Sequence, residues 1–166
     1  MLTTVSHAHH DVLMGYANQL NDLADCLNGD CPDTAGLHAM APRLRDVHAA
    51  LLTRLLPHME TVEAAVYPTL ERLVADRRIS VPMAAEHHEI RRLVSALGEV
   101  TSDSSLERAD RSTVLMLRRV LLRLYVLLKT HLAEEELYIP ILEDRLTPVH
   151  EAALARALDH LAAERV

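Results

Sequence analysis

A chain of 166 residues, 49% of them hydrophobic and only 4 of them Gly, is long enough for one packed domain and too apolar for a disordered tail. Its formal charge of −7 and pI of about 5.8 argue against a nucleic-acid or anionic-membrane partner, and no apolar run approaches the roughly 18 residues of a membrane span. The first residues carry no basic stretch followed by an apolar one, so a cytoplasmic location is expected.

With no Trp, no Phe and four Tyr, the core must be Leu, Val, Ala and Met, which suits packed helices. Thr4 or Ser6 can cap a first helix running to about Leu27 and stopped by Asn28-Gly29. Its inward stripe reads His10, Leu13, Met14, Ala17, Leu20, Ala24 and Leu27, with His9 off that face. Cys26 and Cys31 flank the following turn and read as ordinary loop thiols, a disulfide or redox pair being the alternative. Pro42 suits a first turn and opens a second helix expected to reach about Asp76. Leu44, Val47, Leu51, Leu55, His58, Val62, Val66 and Leu70 form its buried face, and Pro57 and Pro68 predict a kink or local widening near His58.

Ser80-Val81-Pro82 opens a third helix reaching about Val100, with His87, Ile90, Val94 and Leu97 inward and His88 outward. A polar turn over Thr101 to Ser105 precedes a long fourth helix, from about Leu106 to Arg145. Its stripe of Leu117, Val120, Leu121, Leu124, Leu127 and Leu128 continues into His131 and Glu135. Thr147-Pro148 then starts a short extra C-terminal helix, Val149 to about Ala163, with Leu154 and Leu158 inward.

Short connections between four such helices predict an all-α, up-down-up-down four-helix bundle, a single domain over residues 1–166. His10 and His87 lie near the starts of helices one and three, His58 and His131 in the later halves of two and four. In an antiparallel bundle these four places meet at one level. A buried charge is costly unless paired or bound to metal, so four inward histidines beside Glu135 point to a metal site. Imidazole and carboxylate without thiolate suit iron, manganese or zinc. Glu135 shares the face of His131, and Glu134 is its possible substitute. Four residues after His58 stands Val62, which cannot bind metal. Glu63 is five residues on, about 140° off an ideal helix face. A π-type bulge would bring it round as a ligand; otherwise it is a surface residue. His7, His9, His38, His48, His88, His150 and His160 read as structural or exposed, and Tyr67 and Tyr138 as packing residues.

In order along the chain stand His10-Asp11-Val12-Leu13, His58 followed by Tyr67-Pro68, Glu86-His87-His88-Glu89-Ile90, and His131-Leu132-Ala133-Glu134-Glu135. Together they resemble the hemerythrin-like, or HHE cation-binding, domains, over about His10 to Leu146. The pattern departs at Val62, where the family commonly has a metal-bridging glutamate. Oxygen-carrying members use a five-residue step on their last helix, so Glu63 can stand in for the missing ligand. The resemblance implies a non-haem pair of iron ions, oxo- or carboxylate-bridged. His10, His58, His87 and His131 would be terminal ligands, and Glu135 and Glu63 would supply the bridging oxygens. It further implies binding or reduction of O2, peroxide or nitric oxide. The alternative is a metal-binding or storage bundle holding zinc or one iron without redox chemistry, which loss of the bridging glutamate favours.

Overall fold

The computed structural model describes residues 2–27, 34–102, 106 and 109–163, excluding the side chains of 34–35 and 159–163. The expected stop at Asn28-Gly29, Cys31, and residues 103–105 of the polar turn lie outside the described residues, and Cys26 is a free, exposed thiol. All regular structure among the described residues is helical. We number it α1 (Leu2–Cys26), α2 (34–74), α3 (Val81–Val100), α4 (Arg111–Glu136), α5 (Ile139–Arg145) and α6 (Pro148–Ala163). Helices α1 to α4 form the expected bundle. Helix α4 packs along both α1 and α3, and α6 lies across α1 and the middle of α2.

Helix α1 starts earlier than its local caps suggest, because its first donors are satisfied from far away in sequence. Leu2 N–H donates to Glu151 Oε1 at 3.1 Å and Thr3 N–H to Glu143 Oε1 at 2.8 Å. Two carboxylates thereby meet the positive end of the helix dipole, and Leu2 is fully buried beneath them. Helix α4 starts later than expected, at the cap Asp110, whose carboxylate accepts from Thr113 N–H at 2.9 Å. It also stops sooner. Leu137 N–H and Tyr138 N–H turn back to Glu134 and Glu135 carbonyls, and Pro140 then sits in the first turn of α5.

Helix α2 begins at Thr34 rather than Pro42, which lies inside it. It runs through two π segments, Leu51–Leu55 and Val62–Val66, each immediately ahead of a residue–proline pair. Leu56 N–H reaches back five residues to the Leu51 carbonyl, and Tyr67 N–H to that of Val62. The next residues, Pro57 and Pro68, have no N–H, and in a regular helix their rings would press on the carbonyls of Thr53 and Ala64. Widening each turn by one residue removes that clash without breaking the helix. The helix ends at Ala75, held in the left-handed region at φ 57°.

The buried apolar side chains form two bodies. One is built from Leu13 to Leu27, Leu44 to Met59, Ile90 to Val100 and Val114 to Leu132. The other gathers Leu2, Val62, Val66, Tyr67, Leu70, Met83, Ile139, Leu142 and Leu154. Every inward histidine lies at the boundary between them. The helices α2 and α3 approach closely at Gly98, where a Cβ would stand 2.7 Å from His48 Cε1 and 2.8 Å from its Nε2. Gly98→Ala is therefore expected to gain less than the roughly 1 kcal/mol that alanine usually adds in a helix, because the half-buried His48 ring must swing aside. In a His48→Ala background the same change should stabilise by about 0.5–1 kcal/mol, because alanine is the better helix former. Equal effects in both backgrounds, measured by chemical denaturation, would contradict this contact.

Candidate metal centre

The inward phase of each helix carries one histidine into the layer between the two apolar bodies. His10, His58, His87 and His131 are all buried, at 4%, 2%, 0% and 0% exposure, and Glu135 is buried beside them at 2%. Their inner atoms converge. Glu135 Oε2 lies 3.3 Å from His10 Nε2, 3.3 Å from His58 Nε2 and 3.9 Å from His131 Nε2. His87 Nε2 lies 2.9 Å from His131 Nε2 and 3.3 Å from Tyr67 Oη. Among the described residues, the cluster whose donor atoms all lie within 4.8 Å of one another is His10, His58 and Glu135.

Behind this inner set stands a ring of carboxylates. His87 Nδ1 is 2.8 Å from Glu63 Oε1, His131 Nδ1 is 2.8 Å from Glu86 Oε2, and His10 Nδ1 is 3.3 Å from Glu136 Oε1. At His87 and His131 the carboxylate behind Nδ1 places the proton there and turns the Nε2 lone pair inward, the usual arrangement behind metal-binding histidines. For His87 and His131 this aims two lone pairs at each other across 2.9 Å. Such a pair repels unless a cation or a proton lies between the rings. Glu135 Oε1 and His58 Nδ1 are buried and have no hydrogen-bond partner among the described residues. An orphaned carboxylate oxygen in a nearly dry layer costs on the order of 1–3 kcal/mol or more. The donor set thus fits a hard-to-borderline cation such as iron, manganese or zinc.

Burial and the neighbouring His131 push His87 down to about 4. Burial likewise lowers His131 to about 4, against the opposing pull of Glu135. Both rings are therefore neutral near pH 7, as metal ligation requires. His10 is also penalised by burial, but its hydrogen bonds and charge interactions with Glu135 and Glu136 outweigh this and raise it. Burial alone would raise Glu135, yet the hydrogen bonds from His10 and His58 hold it well below the usual carboxylate range. Burial drives Tyr67 far up, reinforced by the charges of Glu135 and Glu63, so its hydroxyl keeps its proton.

Of the six residues singled out in the sequence, five meet in the layer and Glu63 does not. Its carboxylate is gripped by Arg91, Nη1 to Oε1 at 3.0 Å and Nη2 to Oε2 at 2.9 Å, and faces the outer nitrogen of His87. The widened turn is present, but it begins at Val62, and His58 to Thr61 is ordinary α-helix. Val62 therefore keeps the inward place four residues after His58, 1% exposed, and Glu63 turns toward α3. Glu134 is exposed and does not replace Glu135.

Helical periodicity does not mark the outer ring, because Glu86 and Glu136 lie off the inward stripes, and it reads Tyr67 as a packing residue. The available signal was adjacency, since Glu86 and Glu136 each directly adjoin an inward residue. His9, placed off the inward face, stacks on His58 with ring centroids 6.0 Å apart. His7, His38, His88 and His150 are exposed, and the His160 side chain lies outside the described residues.

In the metal-free protein the unfolded chain protonates His87 and His131 near 6.5, and the folded chain only near 4. Their contribution to stability is thus complete above pH 6.5 and lost as the pH falls toward 4, with His10 offsetting part of it. The thermal midpoint of metal-stripped protein should drop between pH 6.5 and 4.5, and a flat or rising profile would contradict the neutral pair.

The family model for the hemerythrin HHE cation-binding domain matches residues 1–142 of the chain. No curated protein and no solved structure matches it. The matched stretch contains all four inward histidines, Glu135 and the outer carboxylates, and the chain belongs to the hemerythrin HHE cation-binding domain family.

Proposed function

We propose that the chain is a non-haem iron protein that binds or reduces a small oxidant (O2, peroxide or nitric oxide), in sensing or in oxidative-stress defence. The observation that carries this reading is the convergence of four Nε2 atoms and Glu135 Oε2 in one buried layer. In this reading His10, His58 and Glu135 would hold one iron ion and His87 and His131 a second, with Glu135 closer to the first group than to the second. Iron bound in this way supplies reversible one-electron chemistry toward a small oxidant.

The chain's own residues do the rest. The two apolar bodies keep water from the layer, Glu86 and Glu63 fix the rings of His131 and His87, and Glu136 fixes that of His10. Tyr67 keeps its proton and presents Oη beside His87 Nε2, where it can donate a hydrogen bond to the oxidant. This reading places the chain in the cytoplasm without membrane or nucleic-acid partners; its acidic charge disfavours anionic partners, and no helix among the described residues is long and apolar enough to cross a membrane.

A second reading has one ion, iron or zinc, at His10, His58 and Glu135, without redox chemistry. Val62 in the inward place and Glu63 locked to Arg91 favour it, since among the described residues only Glu135 then presents a carboxylate to the layer. Metal content per chain after expression with iron, with absorption spectra before and after peroxide, separates the two. About two irons with a near-ultraviolet ferric band support the first reading. One iron or zinc, with no spectral response to peroxide, supports the second.

His131→Ala should lower metal content sharply, and His88→Ala should leave it unchanged. Glu86→Gln should weaken metal binding by about tenfold, as is usual for loss of a carboxylate behind a ligating imidazole. Val62→Glu, which adds a second inward carboxylate, should raise occupancy of the second ion. Equal metal content in His131→Ala and His88→Ala protein would defeat the assignment.

A further inference from the structure

A groove of about 490 Å³ runs between the last turns of α2, the α5–α6 junction and α6. Its upper wall is the stretch from Arg145 to Ala157, which lies beyond the part of the chain matched by the family model. The floor is apolar and small, with Ala65, Leu73, Leu146 and Leu154, and Ala64 and Ala153 leave room above it. The groove lies outside the layer of histidines and shares no residue with it.

The rim carries two cations, Arg72 and Arg145, in a chain that is acidic overall. Arg72, Arg145 and His150 line it, with the hydroxyl-bearing Thr69 and Thr147. Arg72 donates only to neutral acceptors, the Pro68 carbonyl at 3.2 Å and Thr69 Oγ1 at 3.1 Å. Arg145 Nη1 donates to the Leu73 carbonyl at 3.0 Å. Among the described residues neither guanidinium has a carboxylate at ion-pair distance. The acidic neighbours are turned elsewhere. Glu71 accepts from the Ser80 hydroxyl, Glu143 from Thr3 N–H and Glu151 from Leu2 N–H.

Two planar guanidiniums without a carboxylate partner among the described residues bind an oxyanion such as a carboxylate or phosphate, and the small apolar floor favours a carboxylate carried on a short apolar body. The volume lies within the range of small-molecule pockets, about 300–1,000 Å³. We propose that this groove binds one small carboxylate with an apolar tail, its head between Arg72 and Arg145 and its tail along Ala65 and Leu154.

Isothermal titration of the metal-loaded full chain with octanoate tests this, with octanol (the tail without the charge) and inorganic phosphate (charge without the tail) as comparisons. Saturable binding of one octanoate per chain is expected, tighter than octanol or phosphate. Arg72→Gln combined with Arg145→Gln should weaken octanoate by about tenfold or more, the worth of a charge-assisted pair. Ala153→Phe, at an exposed position of α6, should block the groove while both arginines remain. Unsaturable uptake, phosphate or octanol binding as tight as octanoate, or unchanged octanoate affinity in both variants would overturn the proposal. Thermal midpoints and metal content of the variants, expected to match the parent, show that each is folded.

Discussion

The structure depends on keeping one polar layer inside an apolar bundle. Four imidazoles and Glu135 sit where an unpaired polar group is costly and an isolated charge is prohibitive. The cost is met from the flanks. Glu63, Glu86 and Glu136 remain a quarter to two-fifths exposed, at 34%, 25% and 38%, so their own desolvation is modest. Each still reaches an Nδ1 from outside. That arrangement leaves the inner nitrogens of His87 and His131 facing each other, and Glu135 Oε1 without a partner among the described residues, which is a demand for a cation. The phases of all four main helices follow from it, because each must deliver one histidine to the same level while apolar residues close above and below.

Helix α2 shows how a local constraint decides the chemistry of the layer. Pro57 and Pro68 each force a widened turn just ahead of them. The second of these starts at Val62, too late to alter the step from His58 to Val62. A methyl-bearing side chain thus occupies the inward place on this helix. The carboxylate one residue later is captured by Arg91 and used behind His87 instead. Negative charge is retained near the second pair of histidines, but one atom shell further out. The inner set is consequently lopsided, with Glu135 serving the His10 and His58 side more closely than the His87 and His131 side.

The stripes of α1, α3 and α4 were legible because a buried helix face repeats every three to four residues, and His10, His87, His131 and Glu135 fall on that repeat. The same periodicity placed His58 and exposed the problem at Val62. The start of α1 was not legible, since its caps, Glu143 and Glu151, lie some 140 or more residues away in sequence. The break at Leu137 was signalled by Pro140, but the long apolar pattern overrode it. The fate of Glu63 turned on whether the widening fell before or after Val62, and on a partner, Arg91, from another helix. Periodicity carries neither fact. Glu86 and Glu136 were missed for a related reason: a half-exposed carboxylate looks solvated until the neighbouring helix is in place.

Iron-edge anomalous diffraction from crystals of the iron-loaded protein tests the central claim most directly. The account predicts an anomalous peak within bonding distance of His10 Nε2, His58 Nε2 and a Glu135 oxygen, with any second, weaker peak between His87 Nε2 and His131 Nε2. Glu63 should remain outside the coordination sphere, paired with Arg91. A dominant peak at the His87 and His131 pair, iron bound through Glu63, or no peak within the layer would contradict it.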